Sequence, residues 1–206
     1  MTEQRIEETA EELFFTYGLK SVSMDDIARE AGVSKKTIYQ HFADKKAMVL
    51  NVISKLVAQQ EEQLKTSLMK SQNAIHEVIL MAENLELLIM KLRPVLLYDL
   101  HKYFPESWEL MKHFKEQSLR TAFINNLEKG IVEGLYRKDL DFEVISRFEL
   151  VQFSSFFAPD NYPAAKFKTH TVISHITRLF LYGIGSTEGQ MVIQKYFENK
   201  HNEYKS

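Results

Sequence analysis

Apolar side chains recur at three- and four-residue intervals along nearly the whole chain, and no alternating strand pattern persists. Ile6, Ala10, Leu13, Phe14 and Tyr17 fall on one stripe, with Glu7, Glu8, Glu11 and Glu12 off it. This predicts a helix over 2–17, ended by Gly18. Ser23 then offers an N-cap, and Asp26 three positions on completes a weak capping box. Ile27, Ala28 and Ala31 form the buried face of a short second helix, which Gly32 stops by adopting a left-handed conformation. Ser34 caps a third helix. Val33 before it and Ile38 four positions inside have the spacing of a hydrophobic staple. Ile38 and Phe42 point to the core, while Lys36, Tyr39 and Gln40 face the other way with Thr37 at the flank. A fourth helix begins after Asp44 and runs to about Ser71, with Leu50, Ile53, Leu56, Val57 and Leu64 inside.

Further along, 73–91 has helical periodicity, and Pro94 starts or kinks the next piece. Pro105 suits the first turn of a long helix reaching Gly130 or Gly134. Helices over 141–157 and 166–182 are separated by the loop at 159–163. A break at Gly183-Ile184-Gly185-Ser186 precedes a final helix ending near Tyr204. The pattern is that of an all-α protein. Residues 1–46 are expected to form an N-terminal three-helix helix-turn-helix domain, and 47–206 a larger helical domain.

Composition narrows the classes of function. Apolar residues make up 45% and charged residues 26%, enough to bury a core. Cysteine is absent, which excludes disulfides, thiol catalysis and cysteine-ligated zinc. The N-terminus lacks the basic flank and apolar run of a signal peptide. The longest uncharged stretch, Leu150 to Pro159, is about half of the roughly 20 residues needed to span a bilayer. A soluble, cytoplasmic protein without membrane contact is expected. His170 and His175 are five apart, off register for joint ligation on a helix, so no metal site is expected. Gly183, Gly185 and Gly189 follow no strand, which removes a nucleotide-binding reading. No set of nucleophile, base and orienting group is legible, so neither catalysis nor a cofactor is expected.

Charge changes the picture most. The net charge of −2 argues mildly against nucleic acid, since a DNA-binding domain is usually basic. Residues 1–32 carry three basic and eight acidic side chains, but 33–46 carry Lys35, Lys36, Lys45 and Lys46 against Asp44 alone. Each lysine pair occupies the first turn of a helix, where the dipole disfavours cations by about 0.3–1 kcal/mol each. Phosphate would relieve the conflict, pairing with the lysines and accepting hydrogen bonds from the free N–H groups of the first turns. On the outer face of the third helix, lysine and glutamine suit base edges. Tyrosine and threonine suit phosphate or a thymine methyl.

Ala10, Leu13-Phe14, Gly18, the run from Ser23 to Phe42 and Asp44-Lys45 together resemble the TetR family of bacterial transcriptional regulators. The resemblance covers residues 6–50, and Gly130 to Arg137 resembles a stretch of that family's regulatory domains. It implies an all-helical homodimer whose second domain binds a small molecule, with ligand binding releasing the protein from a palindromic operator in double-stranded DNA. Carried over by position, DNA contacts fall on Ser23, Lys35, Lys36, Thr37, Tyr39, His41 and Lys45, with Tyr39 and Lys45 on phosphate. The charge and wheel arguments add Ser34, Gln40 and Lys46. Lys46 stands where the family often has an acid, and Lys36 where it often has glycine.

For a small apolar or amphipathic effector, Phe104, Trp108 and Met111 are the first candidates for a pocket wall. By resemblance the helices over 141–157 and 166–182 would pair with a partner's, using Phe148, Val151, Val172, Ile176, Leu179 and Phe180. Two recognition helices would then meet half-sites about one helical turn apart. A ligand-released repressor is the leading expectation. The alternative is a DNA-binding regulator whose second domain binds a protein or only dimerises.

Overall fold

The computed structural model describes residues 2–158 and 160–203. Eleven α-helices run through them: α1 (Thr2–Tyr17), α2 (Met24–Glu30), α3 (Lys35–His41), α4 (Lys45–Lys70), α5 (Ala74–Lys91), α6 (Pro94–Tyr103), α7 (Pro105–His113), α8 (Arg120–Val132), α9 (Phe142–Ser155), α10 (Thr169–Ile184) and α11 (Thr187–Glu203). The expected long helix from Pro105 is broken in register, because a π-helical turn at Phe114–Leu119 lies between α7 and α8. The expected break at Gly183 is also shifted. Gly183 and Ile184 stay helical, and the chain turns at Gly185-Ser186. Pro159 of the predicted loop and Tyr204 at the predicted end lie outside the described residues. No helix among those described is long and apolar enough to cross a membrane.

The chain forms two compact units, Met1–Glu61 with Ile89–Lys115 and Glu62–Leu88 with Glu116–Ser206. In the first, α1 buries Ile6, Ala10, Phe14 and Phe15. Tyr17, read as the end of the apolar stripe, is instead 62% exposed at the last position of α1. Glu7, read as off the stripe, is buried and pairs with Lys55 at 2.5 Å. Ile27, Ile38, Met48, Val49, Val52 and Ile53 complete this core. On α4 the inward side runs through Met48 and Val49, leaving Leu50 only half-buried. Gly18 ends α1 at φ 87°, and the buried carboxylate of Asp99 on α6 accepts the Lys20 N–H just beyond it at 2.8 Å.

The second unit is built around Tyr136, which is 2% exposed. Gly134 adopts φ 72° after α8, so that the Leu135 and Gly134 N–H groups return to the carbonyls of Gly130 and Ile131. The chain then folds Tyr136 back over Gly130. A Cβ on Gly130 would lie 2.0 Å from the ring. The Tyr136 hydroxyl donates to Asn126 Oδ1 at 3.1 Å, and the Asn126 amide donates to the Ala74 carbonyl at 3.0 Å. This is the structural content of the Gly130–Arg137 stretch: two glycines that turn the chain and admit a ring. Leu127, Ile75, Leu181, Ile184 and Ile193 pack around it.

Candidate nucleic-acid interface

Three capped helix starts shape the N-terminal surface. Ser23 accepts the Asp26 N–H at 3.1 Å, and Asp26 accepts the Ser23 N–H at 2.9 Å, a complete capping box. The Ser23 hydroxyl also donates to Asp26 Oδ2 at 2.6 Å, and this bond, followed by that from the Ser23 N–H, lowers the Asp26 carboxyl to about 2. Ser34 accepts the Thr37 N–H at 3.0 Å, and Asp44 accepts the Ala47 N–H at 2.8 Å. Between α2 and α3, Gly32 sits at φ 62° while Val33 and Gly32 donate to the carbonyls of Ala28 and Arg29. That turn sets the start of α3, and fully buried Ile38 with half-buried Val33 anchors its inner side.

The outer side of α3 then carries Lys35, Lys36, Tyr39 and Gln40, all exposed, with Tyr39 at 50%. Lys36 and Lys46 make no ion pair among the described residues. Lys35 differs. It lies 2.5 Å from Asp25 on α2, and this carboxylate raises the lysine's pKa. Part of the dipole conflict at the start of α3 is therefore answered within the chain. Lys45 also has a place of its own. Its ammonium donates to the Lys20 carbonyl at 3.3 Å, and partial burial lowers its pKa. Ser23 and Ser34 are spent on capping, and the Thr37 hydroxyl lies 2.8 Å from that of Ser34. His41 turns toward α1, with Nδ1 at 3.6 Å from a Glu3 carboxylate oxygen.

Such a face can hold a polyanion: a seven-residue helix with two cations, a phenol and an amide outward, flanked by the lysines of the next helix start. Residues 6–52 match the model of the bacterial regulatory proteins of the tetR family. Over this segment the chain is similar to that family. An HTH-type transcriptional regulator of Staphylococcus aureus (strain bovine RF122 / ET3-1) is 44% identical over 52 residues, which are 25% of this chain and 28% of that protein. The same figures hold for its counterpart in strain USA300. The chain thus matches little more than a quarter of the length of these curated relatives.

Solved structures extend the likeness in fold. A TetR-family regulator of Agrobacterium tumefaciens superposes with a TM-score of 0.72 at 20% identity, covering 90% of this chain and 98% of that one. The regulator FadR of Bacillus subtilis, solved in complex with stearoyl-CoA, gives 0.70 at 18% identity, with 88% and 98% covered. A regulator of Saccharomonospora viridis, solved in complex with choline, gives 0.69 at 19%, with 89% and 97% covered.

The second group of predicted residues is dispersed. Phe104 is buried at the junction of α6 and α7, Trp108 meets His101 edge-on at 4.9 Å, and Met111 is half-buried. All three fall in the first unit. A pocket of about 30 Å³ in the second unit is lined instead by Ile79, Glu86, His170, Ile173, Thr177 and Phe197 among others. On α9, Phe148 and Val151 are 48% and 65% exposed, and Val144, missed in the sequence, extends that stripe at 61%. Leu179 on α10 is 73% exposed and Ile176 half-buried. Val172 and Phe180 correct the expected partner surface: each is only 9% exposed, covered by the chain's own fold.

Proposed function

We propose that the protein is a ligand-responsive transcriptional repressor that binds a palindromic DNA operator as a homodimer and leaves it when a small apolar or amphipathic molecule binds. The observation that carries this reading is the outer face of α3, where Lys36, Tyr39 and Gln40 stand exposed beside the lysines at the start of α4. Exposed apolar residues Val144, Phe148, Val151 and Leu179 supply a surface for pairing α9 and α10 with those of a second copy. Release by a ligand is supported by structures of the same fold that hold stearoyl-CoA and choline.

The Lys36→Ala/Tyr39→Ala variant should keep its thermal stability and lose operator affinity, by about 1–3 kcal/mol for each base contact removed. The operator is found first, by selecting bound sequences from random DNA. Wild-type affinity should fall steeply with salt. Unchanged affinity in the folded double variant would remove the DNA-binding claim.

The alternative is a regulator whose second domain binds a protein or only dimerises, with the exposed stripe Val144, Phe148 and Val151 as its contact surface. Stearoyl-CoA and choline as probes separate the two readings. A compound that raises the melting temperature and also releases operator supports the effector; stabilisation by neither leaves the second domain as a dimerisation or protein-binding module.

A further inference from the structure

A second basic cluster lies in the first unit, outside the helix-turn-helix. Lys20, in the turn after α1, holds its ammonium 5.3 Å from the centre of the Tyr103 ring at the end of α6. Lys102 holds its own 5.4 Å from the centre of the same ring and donates to the Tyr98 hydroxyl at 2.9 Å. Two cations thus converge on one aromatic ring, with both side chains at the surface. Neither makes an ion pair among the described residues. The acid that meets the Lys20 turn is Asp99, but it is 4% exposed and its carboxylate is taken by the Lys20 N–H. It fixes the turn, while both ammonium groups stay at the surface.

Like charges held together without a counterion repel, and cation–π contact at exposed sites offsets this only in part. The cluster is also continuous with the proposed phosphate-binding set. The Lys45 ammonium donates to the Lys20 carbonyl at 3.3 Å, so the turn carrying Lys20 adjoins the first turn of α4. The tyrosine contacts restrict both lysine side chains in advance, which reduces the entropy lost when they bind an anion.

We propose that Lys20 and Lys102, braced by Tyr98 and Tyr103, bind the sugar–phosphate backbone of operator DNA flanking the bases read by α3. The proposal rests on the DNA-binding reading above. It gives the protein a footprint longer than its recognition sequence, with an outer part that contributes affinity and no sequence preference.

The test uses the full chain and two duplexes carrying the sequence selected from random DNA. One is trimmed to the selected bases, and the other is extended by about one helical turn at each end. Wild type should bind the extended duplex more tightly and with a steeper salt dependence. In Lys20→Ala/Lys102→Ala the salt slope on the extended duplex should fall by about two for each bound subunit, equivalent to about tenfold in affinity between roughly 50 and 200 mM salt. Binding to the trimmed duplex should not change. Lys20→Arg/Lys102→Arg should retain the wild-type slope.

An unchanged slope on the extended duplex would overturn the proposal, as would an equal loss on both duplexes. An acidic protein partner for this cluster would give the first of these results. Failure of the underlying reading looks different: Lys36→Ala/Tyr39→Ala would then leave binding to both duplexes intact, or wild type would select no sequence at all.

Discussion

The backbone leaves α2 and α8 by the same route. Gly32 and Gly134 both take positive φ, at 62° and 72°. In each turn the glycine N–H returns to the carbonyl three residues back, and the next N–H to the one five back. A Cβ on either glycine would meet nothing within 4 Å. Beyond the turns the two regions differ completely. After Gly32, Ser34 starts a helix whose outer face is left to solvent with its cations. After Gly134, the chain puts Tyr136 against Gly130 and buries it. Local chemistry specifies the turn in both places, and the residues two to four positions later decide whether the turn serves a surface or a core.

The contrast breaks most readily at Tyr136. Tyr136→Ala removes a ring of which only 2% is exposed and deprives Asn126 of its donor. The expected loss is about 3–5 kcal/mol in denaturant unfolding, as for other large-to-small core changes. No residue beyond the Gly32 turn should cost as much outside the core: Tyr39→Ala, on a side chain 50% exposed, should cost roughly 0.5 kcal/mol or less. Comparable losses at the two tyrosines would deny the division into core and surface.

A second effect separates the units by pH. Burial pushes the Glu149 carboxyl on α9 up to about 8, and its Oε1 has no hydrogen-bond partner among the described residues. The folded chain therefore keeps a proton that the unfolded chain releases above the ordinary value of 4.5. Stability from this group is full below about 4.5 and is lost as pH rises through about 8. The change amounts to a few kcal/mol, at about 1.4 kcal/mol per pH unit traversed. Glu149→Gln should flatten the stability profile between about 4.5 and about 8. An unchanged slope would show that Glu149 ionises in the folded state as it does unfolded.

Smaller effects sharpen the likeness of the two turns. Gly32→Ala and Gly134→Ala each force a Cβ into left-handed backbone, at a cost of about 1–2 kcal/mol, partly offset by a stiffer unfolded chain. Equal losses of about 1 kcal/mol are expected by denaturant titration. A loss at one position several times larger would mean that its turn is held by more than local geometry.

The same division governs how much was legible in the sequence. The bounds of α1, the caps Ser23 and Ser34 and the stop at Gly32 were legible, because each depends on residues within four positions. The lysines at the starts of α3 and α4 were legible as an electrostatic conflict. That Asp25 answers part of it for Lys35 was not, since that contact joins two helices. The π-helical turn left no mark, as Phe114–Leu119 has the composition of any helix. Val172 and Phe180 were expected on a partner surface but are buried in the single chain, because periodicity cannot say which apolar residues meet the chain's own core. Lys20 and Lys102, far apart in the chain, come together only through Tyr103.

The smallest effect tests the first turn of α2, and its sign is opposite to that of Glu149. Hydrogen bonds from Ser23 hold the folded Asp26 carboxyl at about 2, below its ordinary 3.8. The folded chain thus releases a proton that the unfolded chain retains. The capping box contributes fully above about 3.8, and its contribution is lost as pH falls through about 2. Asp26 is exposed, so solvent screens the effect and the acid limb should be shallow. In Ser23→Ala the largest cause of the shift is gone. Nuclear magnetic resonance titration should then place Asp26 closer to 3.8, and the acid limb of the stability profile should move with it. If Asp26 still titrates near 2 in that variant, the Arg29 side chain 2.5 Å away holds the charge and the box is not its cause.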